Sequence, residues 1–158
     1  MLKRFASSGM RRRPQAAVSC VVKVADKNLW LLVKRGKAPA EGKWSFPGGR
    51  IEFGEKAALA AARELSEEVP GLSRLGLSLD EQAFWSSDSI SPNFHYVITQ
   101  FFGSVSAQPA SGEVEVSSDA AEARFFTAGE VANLETTGEA VGALSEVIEV
   151  ASSRFPDR

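Results

Sequence analysis

The chain has 158 residues, 44% of them hydrophobic and 24% charged, with a formal net charge of −2. That length and balance are those of one ordinary globular domain with a sizeable core. A single cysteine, Cys20, excludes an intramolecular disulfide and a multi-cysteine zinc site, and no apolar run is long enough to span a membrane.

The charge is unevenly spread. Residues 1–14 carry Lys3, Arg4, Arg11, Arg12 and Arg13 and no acid. The remainder is left with a net charge of about −7, which argues against a general grip on nucleic acid. The basic, acid-free head is similar to a short mitochondrial transit segment, which would place the protein in the mitochondrion. A disordered start, or the remnant of a longer upstream region in a cytoplasmic protein, reads equally from the same residues. A secretory signal is not expected, because no apolar stretch directly follows the charges. The main domain is read as 15–153 and the last residues, 154–158, as a frayed tail.

Residues 16–24 form a Val-rich apolar run and predict a strand. Asp26-Lys27-Asn28 reads as a turn, and 29–34 as a second strand completing a hairpin. A polar loop follows over 35–42, then a short extended piece, 43–46, before Pro47-Gly48-Gly49. Residues 56–69 have helical periodicity. Ala58, Ala61, Ala62, Leu65 and Val69 fall on one apolar arc, and Glu64, Glu67 and Glu68 fall within roughly 100° of one another on the adjoining face. Like charges at this spacing cost about 0.2–0.5 kcal/mol per pair on an exposed helix. Hard divalent cations, Mg²⁺ or Mn²⁺, take oxygen ligands and would relieve that repulsion.

Further along, 75–85 includes a strand, 86–93 reads as a polar loop, and 94–105 is the longest strand. Residues 107–120 form a polar, acidic loop, and 124–126 a short extended piece. Thr127-Ala128-Gly129-Glu130 resembles a capping box opening a helix over 128–133. Val141, Leu144, Val147 and Ile148 recur at helical spacing within 137–152. Strands mixed with helices of this length predict an α/β class. Cys20 lies in an apolar run and reads as a core residue. His95, the one histidine, reads as a hydrogen-bonded residue at a strand end.

The acidic helix belongs to a longer spacing: Gly49, five residues, Glu55, seven residues, then Arg63-Glu64-Leu65-Ser66-Glu67-Glu68. This resembles the signature of the Nudix hydrolases. The approach Trp44-Ser45-Phe46-Pro47-Gly48-Gly49 looks like that family too. Val33 to Ala40, His95-Tyr96-Val97-Ile98 and Ala121 to Phe126 are similar to an ADP-ribose pyrophosphatase-like subgroup. The likeness covers about residues 16–135. The sequence departs from the pattern at Val69-Pro70-Gly71-Leu72, which holds one residue more than the family expects. Pro70 should end the helix, and Gly71 should supply the left-handed cap one position late.

The resemblance implies an α/β/α sandwich with a mixed β-sheet. It implies hydrolysis of a pyrophosphate bond in a nucleoside diphosphate derivative with Mg²⁺ or Mn²⁺ as cofactor. Glu64, Glu67 and Glu68, with the Gly49 carbonyl, would be the metal ligands. Glu55 and Arg63 would form an ion pair holding the loop to the helix. Glu64 or Glu67 could be the general base, or an acid of a later loop: Glu122 first, with Asp119, Glu113 and Glu115 as alternatives. Arg35 and Arg50 are candidates for phosphate, and Phe125, with Phe84 and Trp85, for a base.

The marker stretches of the NADH-cleaving and coenzyme A groups are not found. ADP-ribose or another nucleotide sugar is therefore favoured. An oxidised nucleoside triphosphate or an RNA 5′ end is the alternative substrate. A non-catalytic nucleotide- or RNA-binding module within a complex is the alternative of another class. The expected partner is a nucleotide-type small molecule, with no membrane. A homodimer is a further expectation from relatives.

Overall fold

The computed structural model describes residues 13–158 except 39, 110 and 118. The basic head, apart from Arg13 and Pro14, lies outside the described residues. One seven-stranded mixed sheet organises the chain. Its strands are β1 (Gln15–Val24), β2 (Leu29–Arg35), β3 (Trp44–Ser45), β4 (Gly48–Arg50), β5 (Ser78–Ile90), β6 (His95–Val105) and β7 (Ala120–Thr127). The helices are α1 (Ala57–Glu68), α2 (Ala128–Thr136) and α3 (Leu144–Arg154).

β1 is the axis. It runs parallel to β6 along its whole length, from Gln15 beside Tyr96 to Val24 beside Val105. Its other edge is shared. β2 pairs with it at Lys23–Trp30 and then diverges. The gap so opened is filled by β4, antiparallel to residues 17–19. The expected β1–β2 hairpin is therefore splayed, and β2 spends its length on β7 and β3.

Alternation on β1 sends its side chains to two cores. Val18, Cys20, Val22 and Val24 meet Ala60, Ala61 and Leu65 of α1. On the other face Val21, with Trp30 and Leu32 of β2 and Phe102 of β6, meets Val131 of α2 and Leu144, Val147, Ile148 and Ala151 of α3. The result is the expected helix–sheet–helix sandwich. Each fully buried large apolar side chain of these cores contributes about 1.5–3 kcal/mol over its exposed state.

Several elements differ from the sequence reading, each for a local reason. Pro70 does end α1, but the chain then coils into a 3₁₀ helix, Pro70–Leu75, and the left-handed residue is Gly76, with φ 69°, not Gly71. Gly71 is needed for close packing instead: a Cβ there would lie 2.9 Å from Glu115. The Ser-rich stretch read as a loop, 86–90, continues β5, because β6 offers it a full antiparallel edge from Ser86–Thr99 to Ile90–His95. β7 is longer than 124–126 because all of β2 is available to it. Residues 137–143 are not helical; Val141 donates its N–H to the Trp44 carbonyl at 2.9 Å. The capping box of α2 forms as read: Glu130 N–H reaches Thr127 Oγ1 at 3.2 Å, and Thr127 N–H reaches the Glu130 carboxylate at 2.7 Å.

Candidate active site

α1 packs on β1 through alanines. Ala60 and Ala61 are fully buried, and Cys20 Sγ donates to the Ala61 carbonyl at 3.3 Å. Small residues bring the helix close to the sheet. The carboxylates on its flank consequently reach β4, which lies beside β1.

Two of them are set against the glycine pair. The Glu64 carboxylate sits directly over Gly49, where a Cβ would meet its Cδ at 2.4 Å. Glu68 accepts the Gly48 N–H at 2.8 Å. Gly48 itself is pressed onto β1, where a Cβ would lie 2.2 Å from the Val18 carbonyl oxygen. The glycine pair is thus part of a short strand, in which Gly48 leaves no room for a side chain against the β1 backbone and Gly49 leaves room for the Glu64 carboxylate.

Arg63 ties the loop to the helix. Its Nε and Nη2 hold the two Glu55 oxygens at 2.8 and 3.0 Å, Nη1 holds Glu64 at 2.8 Å and Glu67 at 3.3 Å, and Nη2 also donates to the Arg50 carbonyl at 3.1 Å. The Arg63 hydrogen bonds, joined by the Glu52 N–H, hold the Glu55 carboxyl down at about 2. Hydrogen bonds to Glu55 and then Glu64 push the Arg63 guanidinium further up.

Glu68 is the reverse case. Burial pushes its carboxyl up to about 7; the Gly48 N–H and Arg35 oppose the rise, and the charges of Glu64 and Asp119 add to it. Burial, then the Glu68 and Glu64 charges, likewise push the Cys20 thiol up, so it stays a protonated core residue beneath the carboxylates.

The other candidates divide. Arg50 lines an open cleft of about 580 Å³ together with Gln15, Ala16, Ile51, Glu52 and Glu64. Arg35, at the end of β2, acts electrostatically on Glu68. Asp119 does so from the loop before β7, where it also pairs with Lys37. Glu122 does not join them. Ala123 and Phe125 of β7 face α1, so by alternation Glu122 faces the opposite side of the sheet, where it pairs with Arg124. Phe125, expected beside a base, packs in the α1-side core at 9% exposure. Phe84 is core on the other face. Glu113 pairs with Arg124 at 3.6 Å and Glu115 with Arg74 at 2.8 Å. Gln15 and Ala16 were absent from the sequence candidates. Their signal was adjacency to β4, which requires knowing that residues 48–50 are a strand.

The chain belongs to the NUDIX domain family, whose pattern it matches over residues 13–145. It is 32% identical over 113 residues to an ADP-ribose pyrophosphatase of Methanocaldococcus jannaschii, a match covering 72% of this chain and 62% of that protein's length. Among solved structures it resembles a MutT protein from Methanosarcina mazei, with a TM-score of 0.72 at 18% identity, over 95% of this chain and all of that one. It also resembles the NUDIX domain of a Shewanella oneidensis protein solved with ADP ribose, with a TM-score of 0.68 at 18% identity, over 91% and 90% of the two chains.

Such a family implies a divalent metal, and two features of this chain fit one. Its donors are carboxylate oxygens, the preference of Mg²⁺ and Mn²⁺. Burial, with the Glu64 and Asp119 charges adding to it, raises the Glu68 carboxyl, a shift a cation would reverse. Among the described residues no three acidic, histidine or cysteine side chains converge ready-made. Glu67 is exposed and held by Arg63 at 3.3 Å.

Proposed function

We propose that this protein is a metal-dependent pyrophosphohydrolase that cleaves a phosphoric anhydride bond in a nucleoside diphosphate derivative, with ADP-ribose or another nucleotide sugar as the favoured substrate. The observation that carries this reading is the seating of Glu64 and Glu68 on Gly49 and Gly48, within a NUDIX domain. The relative named an ADP-ribose pyrophosphatase supports the substrate class.

A bound divalent cation would neutralise phosphate charge and lower the pKa of a water molecule. Glu64, Glu67 and Glu68, with the Gly49 carbonyl, are the groups to hold it. The chain's own contributions follow from the geometry. Arg63 fixes Glu64 and, through Glu55, the loop 50–55. Arg50, which lines the cleft, is the cation to pair with a phosphate oxygen. Glu67 is the most exposed of the trio, with 60% of its side chain open, and is the member best able to take a proton from the attacking water. Asp119 is the loop acid best placed to assist, since its charge already reaches Glu68.

Phosphate-product release should be measured with millimolar Mg²⁺ or Mn²⁺ on ADP-ribose, other nucleotide sugars, dinucleoside polyphosphates, 8-oxo-dGTP and 5′-triphosphorylated RNA. Metal-dependent cleavage of nucleotide sugars that is lost in Glu67→Gln is the expected result. Cleavage confined to 8-oxo-dGTP or RNA would reject the substrate class. No cleavage of any member, with nucleotide binding retained, would reject the enzyme and favour a binding module.

A further inference from the structure

β6 and β5 lie beside the start of β1, with Tyr96 and Ser89 level with Gln15, and only residues 90–95 run on past it. One face of these two strands continues the floor of the catalytic cleft sideways from β1. Ala16 lines the cleft beside Glu64. Val97 lies next to Ala16 on β6, and Asp88 lies next to Val97 on β5. In-register neighbours share a face, and Phe101, four residues on from Val97, sits in the α1-side core. Val97 and Asp88 therefore face the same side as Glu64.

This surface is open and chemically mixed. Val97 is 38% and Ile90 70% exposed. The Asp88 side chain is 55% exposed, and His95 Nε2 lies 2.7 Å from its Oδ1. Among the described residues nothing hydrogen-bonds the second oxygen, Oδ2. Two strand spacings, about 10 Å, separate Ala16 from Asp88, roughly the reach of a pentose beyond a phosphate.

We infer that Asp88, steadied by His95, is a specificity-determining residue that accepts hydrogen bonds from the hydroxyls of the sugar beyond the cleaved pyrophosphate. Val97 and Ile90 form the apolar shelf on which that sugar lies. This rests on the hydrolase reading above and deepens it. The order along the cleft becomes carboxylates, Ala16, Val97, Asp88. A carboxylate at the far end attracts a hydroxyl-rich group and repels a terminal phosphate, so the shelf fits a nucleotide sugar and disfavours a nucleoside triphosphate.

The test is calorimetric binding of two uncleaved probes, ADP-ribose and the β-methyl ester of ADP, to full-length Glu67→Gln protein with Mg²⁺. The same measurement is made with Asp88→Ala or Ser89→Ala added. Ser89, one residue on, faces the other way. Asp88→Ala is expected to weaken ADP-ribose about ten- to a hundredfold more than the methyl ester, as for a lost bond to a charged acceptor. Ser89→Ala is expected to leave the ratio unchanged, and Asp88→Asn to restore part of the loss. Equal losses for both probes, or none, would overturn the inference while turnover of the substrate panel kept the hydrolase intact. Failure of ADP-ribose to bind the Asp88-intact protein would overturn it as well, whereas an inactive panel with Asp88-dependent ADP-ribose binding would reject the hydrolase alone.

Discussion

The helices on the two faces of the sheet obey opposite rules. α2 opens on a capping box with Glu130 in its first turn, and α3 carries Glu146 in its first turn and Arg154 in its last. Both complement the helix dipole. α1 has no side-chain N-cap, no acid in its first turn and no base in its last, and it gathers Glu64, Glu67 and Glu68 toward its negative end. Its packing residues are alanines where the other face uses Trp30, Trp44 and Phe102. A helix built against its own electrostatics, and drawn close to the sheet, is what a cation site needs before the cation arrives. The α2/α3 face supplies stability, and the α1 face spends some of it.

The sharpest way to separate the faces is Glu67→Gln. It should lower turnover by about a thousandfold, within the range for a lost acid–base group, while the unfolding midpoint hardly moves. The neighbouring glycines divide function from fold even more finely. Gly48→Ala drives a Cβ into the β1 backbone and should cost about 3 kcal/mol in denaturant titration. Gly49→Ala meets only the movable end of Glu64. It should cost under about 1 kcal/mol in stability and yet lower kcat about a hundredfold by displacing that carboxylate.

The pH response should also mark α1. Glu68 is raised from 4.5 to about 7 in the folded chain, so the folded state holds a proton that the unfolded chain releases. Its contribution is complete below pH 4.5 and is lost as pH climbs to about 7. Glu68→Gln removes that slope, and above pH 7 the metal-free variant should be the more stable by about 3 kcal/mol, read from Tm against pH. The smallest effect belongs to the other face: Thr127→Ala should cost about 1 kcal/mol and leave turnover unchanged, since it touches only the α2 cap.

The legible part of the sequence was local. The spacing from Gly49 to Glu68 marked α1 and its acidic flank, and a Val-rich apolar run marked β1. What the sequence hid was pairing at a distance. Nothing in Gly48-Gly49-Arg50 itself marks a strand; it becomes one because β1 and β2 splay and leave an edge for it. Ser86 to Ile90 looks like a loop because its stabilisation lies in β6, not in its own composition. Glu122 ranked above Asp119 because sequence distance does not reveal a strand face. The buried Ala123 and Phe125 were the available clue, and they put Glu122 on the side away from α1.

Thermal unfolding at pH 8 of wild type and Glu68→Gln, with and without millimolar Mg²⁺, tests the central claim most directly. A crossing is expected: without metal the variant melts higher, and with Mg²⁺ the wild type gains more and overtakes it. A wild type that melts at the same temperature with and without Mg²⁺, and below the variant in both, would contradict a cation site on α1.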